Sequence, residues 1–283
     1  MIRPPSPYPF LASKPDHIGR VTLLGAPLDV TGSFRPGAAE GPPGIRWASE
    51  NLETYSPELE RDLEDYDVGD AGDLDLAGLS IPAALARIEE EVGRLLDAPT
   101  LPFVLGGEHT IALPVARAVF KRFPDAMILH LDAHADLRES YAGETYCHAT
   151  WAYHAGGECG YDRLVQLGIR SGLRAEFRFG RERCAYFSSD LHLPDGLRAV
   201  LAASPVYLTL DIDVLDPAYA PGTGAPESGG ATYRELIDCL YSLDNLNVVA
   251  LDLNEVAPPL DPTGATSVAA SKLVRELLLL AAS

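Results

Sequence analysis

Met127-Ile128-Leu129-His130-Leu131 runs straight into Asp132-Ala133-His134-Ala135-Asp136. An apolar run that reads as a buried strand is followed by three metal-competent side chains at alternate positions. Residues i and i+2 of an extended segment point the same way, so Asp132, His134 and Asp136 reach one side together as the strand leaves its sheet. The arrangement recurs twice. Residues 101–105 lead through Gly106-Gly107, where a glycine pair permits a tight bend, to Glu108-His109. Residues 206–210 lead to Asp211-Ile212-Asp213. Carboxylates and imidazoles at the ends of buried strands are costly unless something positive neutralises them. A pair of divalent cations is the simplest answer, and these ligand types suit hydrolysis by metal-activated water.

Outward from these three stretches, short apolar runs alternate with helical patterns. Residues 21–25 read as a strand, followed by a Gly/Pro-rich loop over 31–44. Residues 81–96 have helical periodicity, with Leu85, Ile88, Val92 and Leu95 on one face. Residues 111–120 read as a helix capped by Thr110. Further strands are expected over 164–169 and 248–253, and further helices over 233–241 and 266–280. The alternation predicts an α/β fold whose mostly parallel sheet is covered on both faces. Ligands in such sheets bind at the carboxyl ends of the strands, where His109, Asp132 and Asp211 all fall.

The 283 residues are 47% hydrophobic, enough core for one large domain over 20–283 preceded by a loose, Pro-rich N-terminal arm over 1–19. No apolar run reaches the roughly 18 residues that span a bilayer, and the N-terminus has no apolar signal region. No membrane partner is expected. Cys147, Cys159, Cys184 and Cys239 are scattered without a Cys-x-x-Cys pair, which fits a reducing cytoplasm. The net charge of −19 disfavours nucleic acid as a partner. It serves solubility, attraction of a cationic substrate, or both. An oxygen-rich ligand set with a minority of imidazole suits Mn²⁺ first, with Zn²⁺, Co²⁺ and Fe²⁺ also admissible.

Four motifs now resemble a known family. They are Gly-Gly-Glu-His (106–109), Asp-Ala-His-Ala-Asp (132–136), Asp-Ile-Asp-Val-Leu-Asp-Pro (211–217) with Ala-Pro-Gly-Thr-Gly (220–224), and Leu-Asp-Leu-Asn-Glu-Val-Ala-Pro (251–258). Together they resemble the ureohydrolases, the arginases and agmatinases, from about residue 20 to the end. The resemblance implies a three-layer α/β/α fold and two Mn²⁺ ions per subunit. One ion would take His109, Asp132, Asp136 and Asp211, and the other His134, Asp132, Asp211 and Asp213. Asp136 would also hold the attacking hydroxide. Glu255 would bind the substrate guanidinium, and a planar carboxylate does suit that fork. His148 would relay protons, a task matched to an imidazole pKa near 6.5.

Three departures stand out: Glu108 where many relatives have Asp, Ala149 where Gly often follows the histidine, and Ala225 where many have Thr. Glu108 would not be a ligand. Residues 136–148 and 167–172 look more like agmatinases than arginases, so the expected reaction converts agmatine to putrescine and urea. Glu139 or Glu144 is expected to meet the substrate's far ammonium. Arg138 either makes an outward salt bridge or faces the substrate tail, in which case 4-guanidinobutyrate becomes plausible. Arginine hydrolysis stays open as well. A catalytically silent metal-binding relative would need a broken ligand set or a lost Glu255. A dinuclear phosphatase fits less well, because it would need positive groups around a phosphate. The resemblance implies a homotrimer or homohexamer.

Overall fold

The computed structural model describes residues 8–282. Its strands are β1 Lys14–Pro15, β2 Val21–Ala26, β3 Tyr55–Ser56, β4 Arg61–Asp62, β5 Val68–Asp73, β6 Leu101–Gly106, β7 Met127–Leu131, β8 Leu164–Leu167, β9 Tyr186–Phe187, β10 Pro205–Asp211 and β11 Asn247–Asn254. Its α-helices are α1 Gly41–Ser49, α2 Ile81–Asp97, α3 Ala112–Arg122, α4 Trp151–Cys159, α5 Arg174–Arg183, α6 Asp195–Ala202, α7 Tyr233–Tyr241 and α8 Ala265–Ala281. Nine strands form one sheet in the order β1-β5-β2-β6-β11-β10-β7-β8-β9, every pair parallel. Strands β3 and β4 make a separate antiparallel pair.

Alternation along the strands builds the layers. Met127, Leu129 and Leu131 of β7, with Val206, Leu208 and Leu210 of β10, pack with α1, α6, α7 and α8. Ile128 and Tyr207 point the other way, into a core shared with α2, α3 and α4. Each fully buried aliphatic side chain contributes about 1.5–3 kcal/mol, so both faces need their helices. The α/β/α architecture read from the sequence is the architecture found. The expected apolar face of α2 is buried at all four positions.

Several sequence expectations need correction. Residues 41–44 are the first turn of α1 rather than loop, because Pro42 and Pro43 sit where a helix has no N–H bonds to lose. Thr110 does not cap α3. Its hydroxyl donates to Glu108 Oε1 at 2.8 Å, and Ile111 occupies the cap position. Within the described residues the N-terminal arm is not loose: β1 pairs with β5, and Phe10 is buried with its N–H on Asp70 Oδ2. Met1 to Pro7 lie outside the described residues. Strand β5, Val-Gly-Asp-Ala-Gly-Asp, was not legible as a strand. It is buried throughout, and the fully buried Arg46 neutralises Asp70 and Asp73.

Candidate functional site

Strands β6, β11, β10 and β7 are neighbours, so their carboxyl ends release His109, Glu255, Asp211 and Asp132 at one edge. The glycine pair before His109 serves close approach, not a left-handed turn. A Cβ on Gly106 would stand 1.8 Å from Asn254 Oδ1, and one on Gly107 would stand 2.0 Å from the Leu28 carbonyl. Asp136 and Glu255 do adopt left-handed backbone, with φ of 51° and 64°. Such conformations cost about 1–3 kcal/mol in non-glycine residues and cluster at functional sites.

All six expected ligands converge. His109 Nδ1 lies 2.9 Å from Asp132 Oδ2, 3.1 Å from Asp211 Oδ2 and 3.7 Å from Asp136 Oδ2. His134 Nδ1 lies 2.9 Å from Asp213 Oδ2 and 3.6 Å from Asp132 Oδ1. The Asp132 carboxylate thus faces both histidines. Two ligand groups share it, one with His109, His130 and Asp136, the other with His134 and Asp213. Asp211 falls outside both groups and touches the first through His109.

The hydrogen bonds around His109 test whether a cation fits. Thr209 Oγ1 donates to Asp252 Oδ1 at 2.6 Å, so it accepts from His109 Nε2 at 2.9 Å. With its proton fixed on Nε2, the Nδ1 lone pair points at two carboxylate oxygens, an arrangement that calls for a cation between them. Burial by itself lowers the His109 pKa, but Asp132 and Asp211 outweigh it and raise it well above 6.5. Burial, then the neighbouring acids, push Asp136 and Asp211 well above the usual carboxylate range. Four buried acids and two imidazoles fit divalent cations.

Sequence reasoning missed five supporting residues. His130, two residues before Asp132 and fully buried, shares its strand face. Gln166 Nε2 occupies its Nδ1 at 2.9 Å, so Nε2 donates to Asp132 Oδ2 at 2.8 Å. The i, i+2 spacing was the signal for His130. Trp151, at the start of α4, stacks on His109 with centroids 4.9 Å apart and donates to Asp136 Oδ2 at 2.8 Å. Thr209 and Asp252 lie inside their strands and carried no signal beyond being polar there.

A cavity of about 270 Å³ opens above the cluster, lined by His109, His134, Asp136, Asp211, Asp213, His148 and Glu255 among others. Glu255 Oε1 accepts the His109 N–H at 2.8 Å. Burial pushes its carboxyl up to about 8, with the charge of Glu108 adding to the effect. Burial, helped by the charge of His134, pulls His148 down to about 4. Thr31 Oγ1 accepts the His148 N–H at 3.2 Å and donates to Glu108 Oε1 at 2.8 Å. Glu108 therefore ties down a loop, away from the cluster. Ala225 also lines the cavity. Glu139 and Glu144 do not. Both are exposed. Arg138 does line the cavity and is paired with Glu176.

Comparison with known proteins agrees with this geometry. Residues 19–280 match the model of the arginase family. An agmatinase of Bacillus cereus is 45% identical over 279 residues, covering 95% of each chain. A guanidinobutyrase of Pseudomonas aeruginosa is 36% identical, covering 90% of this chain and 84% of its own. The solved structure of proclavaminate amidino hydrolase from Streptomyces clavuligerus superposes with a TM-score of 0.86 at 31% identity. It covers all of this chain, and 97% of its own length is matched.

Proposed function

The chain belongs to the arginase family and is a hydrolase of guanidino groups, and within that class we propose that it cleaves agmatine to putrescine and urea. The observation that carries the reading is the placing of Glu255 on the wall of the cavity whose floor is the His/Asp cluster. Similarity to the Bacillus cereus agmatinase and the net charge of −19 favour a dicationic substrate.

We propose two Mn²⁺ ions as the resident metals, with His109, Asp132, Asp136 and Asp211 holding one and His134, Asp132, Asp211 and Asp213 the other. Bound there, such ions lower the pKa of water and stabilise charge at the reacting carbon. The chain's own side chains do the rest. Glu255, anchored through Oε1, pairs with the guanidinium and aligns its carbon. Trp151 holds Asp136 Oδ2, leaving Oδ1 to orient the attacking water and take its proton. Water adds to the guanidinium carbon, the bond to the alkyl nitrogen breaks, and that nitrogen leaves as a protonated amine. His148, on the cavity wall, passes protons between the cleft and solvent.

The proposal extends to a cytoplasmic homotrimer or homohexamer. Among the described residues no helix is long and apolar enough to cross a membrane. Urea release with Mn²⁺ supplied, measured on agmatine, arginine and 4-guanidinobutyrate, tests the reading. Agmatine should give the highest kcat/KM, and a clear preference for either other guanidine would reject it.

A further inference from the structure

The cleft has a direction. His109, Asp211 and Asp213 at its floor are at most 3% exposed, whereas the Arg138 side chain is 28% exposed. Between them the wall is continuous. The His148 and Tyr141 rings meet edge to face at 5.7 Å, and the Arg138 guanidinium lies 4.6 Å from the Tyr141 centroid. Arg138, Tyr141 and Glu176 line the same cavity as Glu255. A guanidine seated on Glu255 therefore sends its alkyl chain past His148 and Tyr141 towards Arg138.

A bare arginine there would repel an ammonium tail and attract a carboxylate. Glu176 removes that bias. It is 5% exposed, and its Oε1 accepts the Leu137 N–H at 3.1 Å. Its Oε2 accepts the Leu173 N–H at 2.7 Å and Arg138 Nε at 3.3 Å. Among the described residues, no other carboxylate pairs with Arg138. The remaining rim charges are opposite in sign and tied to backbone. Asp29 holds the Gly37 N–H, and Arg35 holds the carbonyls of Thr223 and Gly224. Arg138 and Glu176 are thus the adjustable element.

We propose that the Arg138–Glu176 ion pair reads the far end of the substrate, and that its balanced charge is what lets in an ammonium-tailed guanidine that a bare arginine would repel. This rests on the reading that guanidines bind at Glu255. Removing either partner leaves the other's charge bare, so the two removals should act in opposite directions.

The test is kcat/KM for agmatine and 4-guanidinobutyrate with the Mn²⁺-loaded enzyme, its Glu176→Gln variant and its Arg138→Met variant. Glu176→Gln should lower the agmatine-to-guanidinobutyrate ratio about tenfold, and Arg138→Met should raise it about tenfold, through KM and with little change in kcat. Opposite shifts support the pair, because damage to folding would move both substrates together. If Glu176→Gln does not fold, Arg138→Met decides alone. Ratios that stay put, or move in one direction in both variants, overturn the inference while leaving the enzyme a guanidine hydrolase. An unaltered enzyme that releases urea from neither guanidine overturns the functional reading and this inference with it.

Discussion

His109 and His134 present the same atom to the same carboxylate in opposite surroundings. His109 is 1% exposed, stacked on Trp151 and held from behind by Thr209. Thr209 in turn leans on Asp252, which also accepts from Tyr207 and Asn254. The His134 side chain is 28% exposed, and among the described residues its ring is met only by Asp213 and Asp132. One half of the cluster is fixed by three successive layers of hydrogen bonds. The other is open to the cleft, where a substrate must approach. Rigidity on one side and access on the other are what a site needs if it is to hold ions tightly and still exchange substrate for product.

The largest effect should come from the side chain that both halves share. Asp132→Ala removes the carboxylate facing both histidines and should leave a protein with no bound Mn²⁺ and no measurable urea release. Elemental analysis after dialysis reads the metal content. One ion retained with turnover would mean that the halves are independent. Next in size is His148→Ala, in the open half. It should keep both ions and lose about 100-fold in kcat, because the proposed relay is lost and the proposed ligands are untouched. Lost metal in that variant would make His148 structural.

The buried half is sharpened by Thr209→Val and Asp252→Leu. Each breaks the chain that fixes the proton on His109 Nε2. Loss of such a partner typically weakens metal binding about 10–100-fold. The loss should be confined to one of two binding steps in a calorimetric Mn²⁺ titration of the metal-free protein. In the unaltered protein a chelator should remove the ions stepwise, the His134-side ion first. Simultaneous release, or equal weakening of both steps, would erase the distinction between the halves.

That distinction was only half legible in the sequence. The three strand-end stretches gave the sheet, its polarity and all six converging side chains, because apolar runs and i, i+2 spacing are local properties. Glu255 and His148 needed the family resemblance, since each alone reads as an ordinary polar residue. What stayed hidden is non-local. Trp151 reaches Asp136 across 15 residues, and Thr209 reaches His109 across 100. The left-handed backbone at Asp136 and Glu255 breaks the expectation that such positions take glycine. Glu176 lies 38 residues from Arg138, so the sequence left Arg138 undecided between a surface salt bridge and a pocket residue. The structure puts it in the cavity wall, paired with a buried acid and not with a surface one.

Glu255 tests the comparison at its smallest scale, because its Oε1 is fastened to the buried half through the His109 N–H. In the metal-free protein its carboxyl is raised from an ordinary 4.5 to about 8. A raised acid means that the folded chain holds a proton which the unfolded chain releases between those values. Stability from this group therefore falls as pH rises through the window from 4.5 to 8 and levels off above it. Glu255→Gln keeps an oxygen for the His109 N–H and has no proton to lose. The metal-free variant should match the metal-free parent near pH 4.5 and exceed it by roughly 4 kcal/mol at pH 8, read by urea denaturation at both pH values. The same variant should turn over poorly once loaded, since the guanidinium has lost its counter-charge. A parent and variant with parallel pH profiles would place Glu255 in solvent and detach it from the buried half.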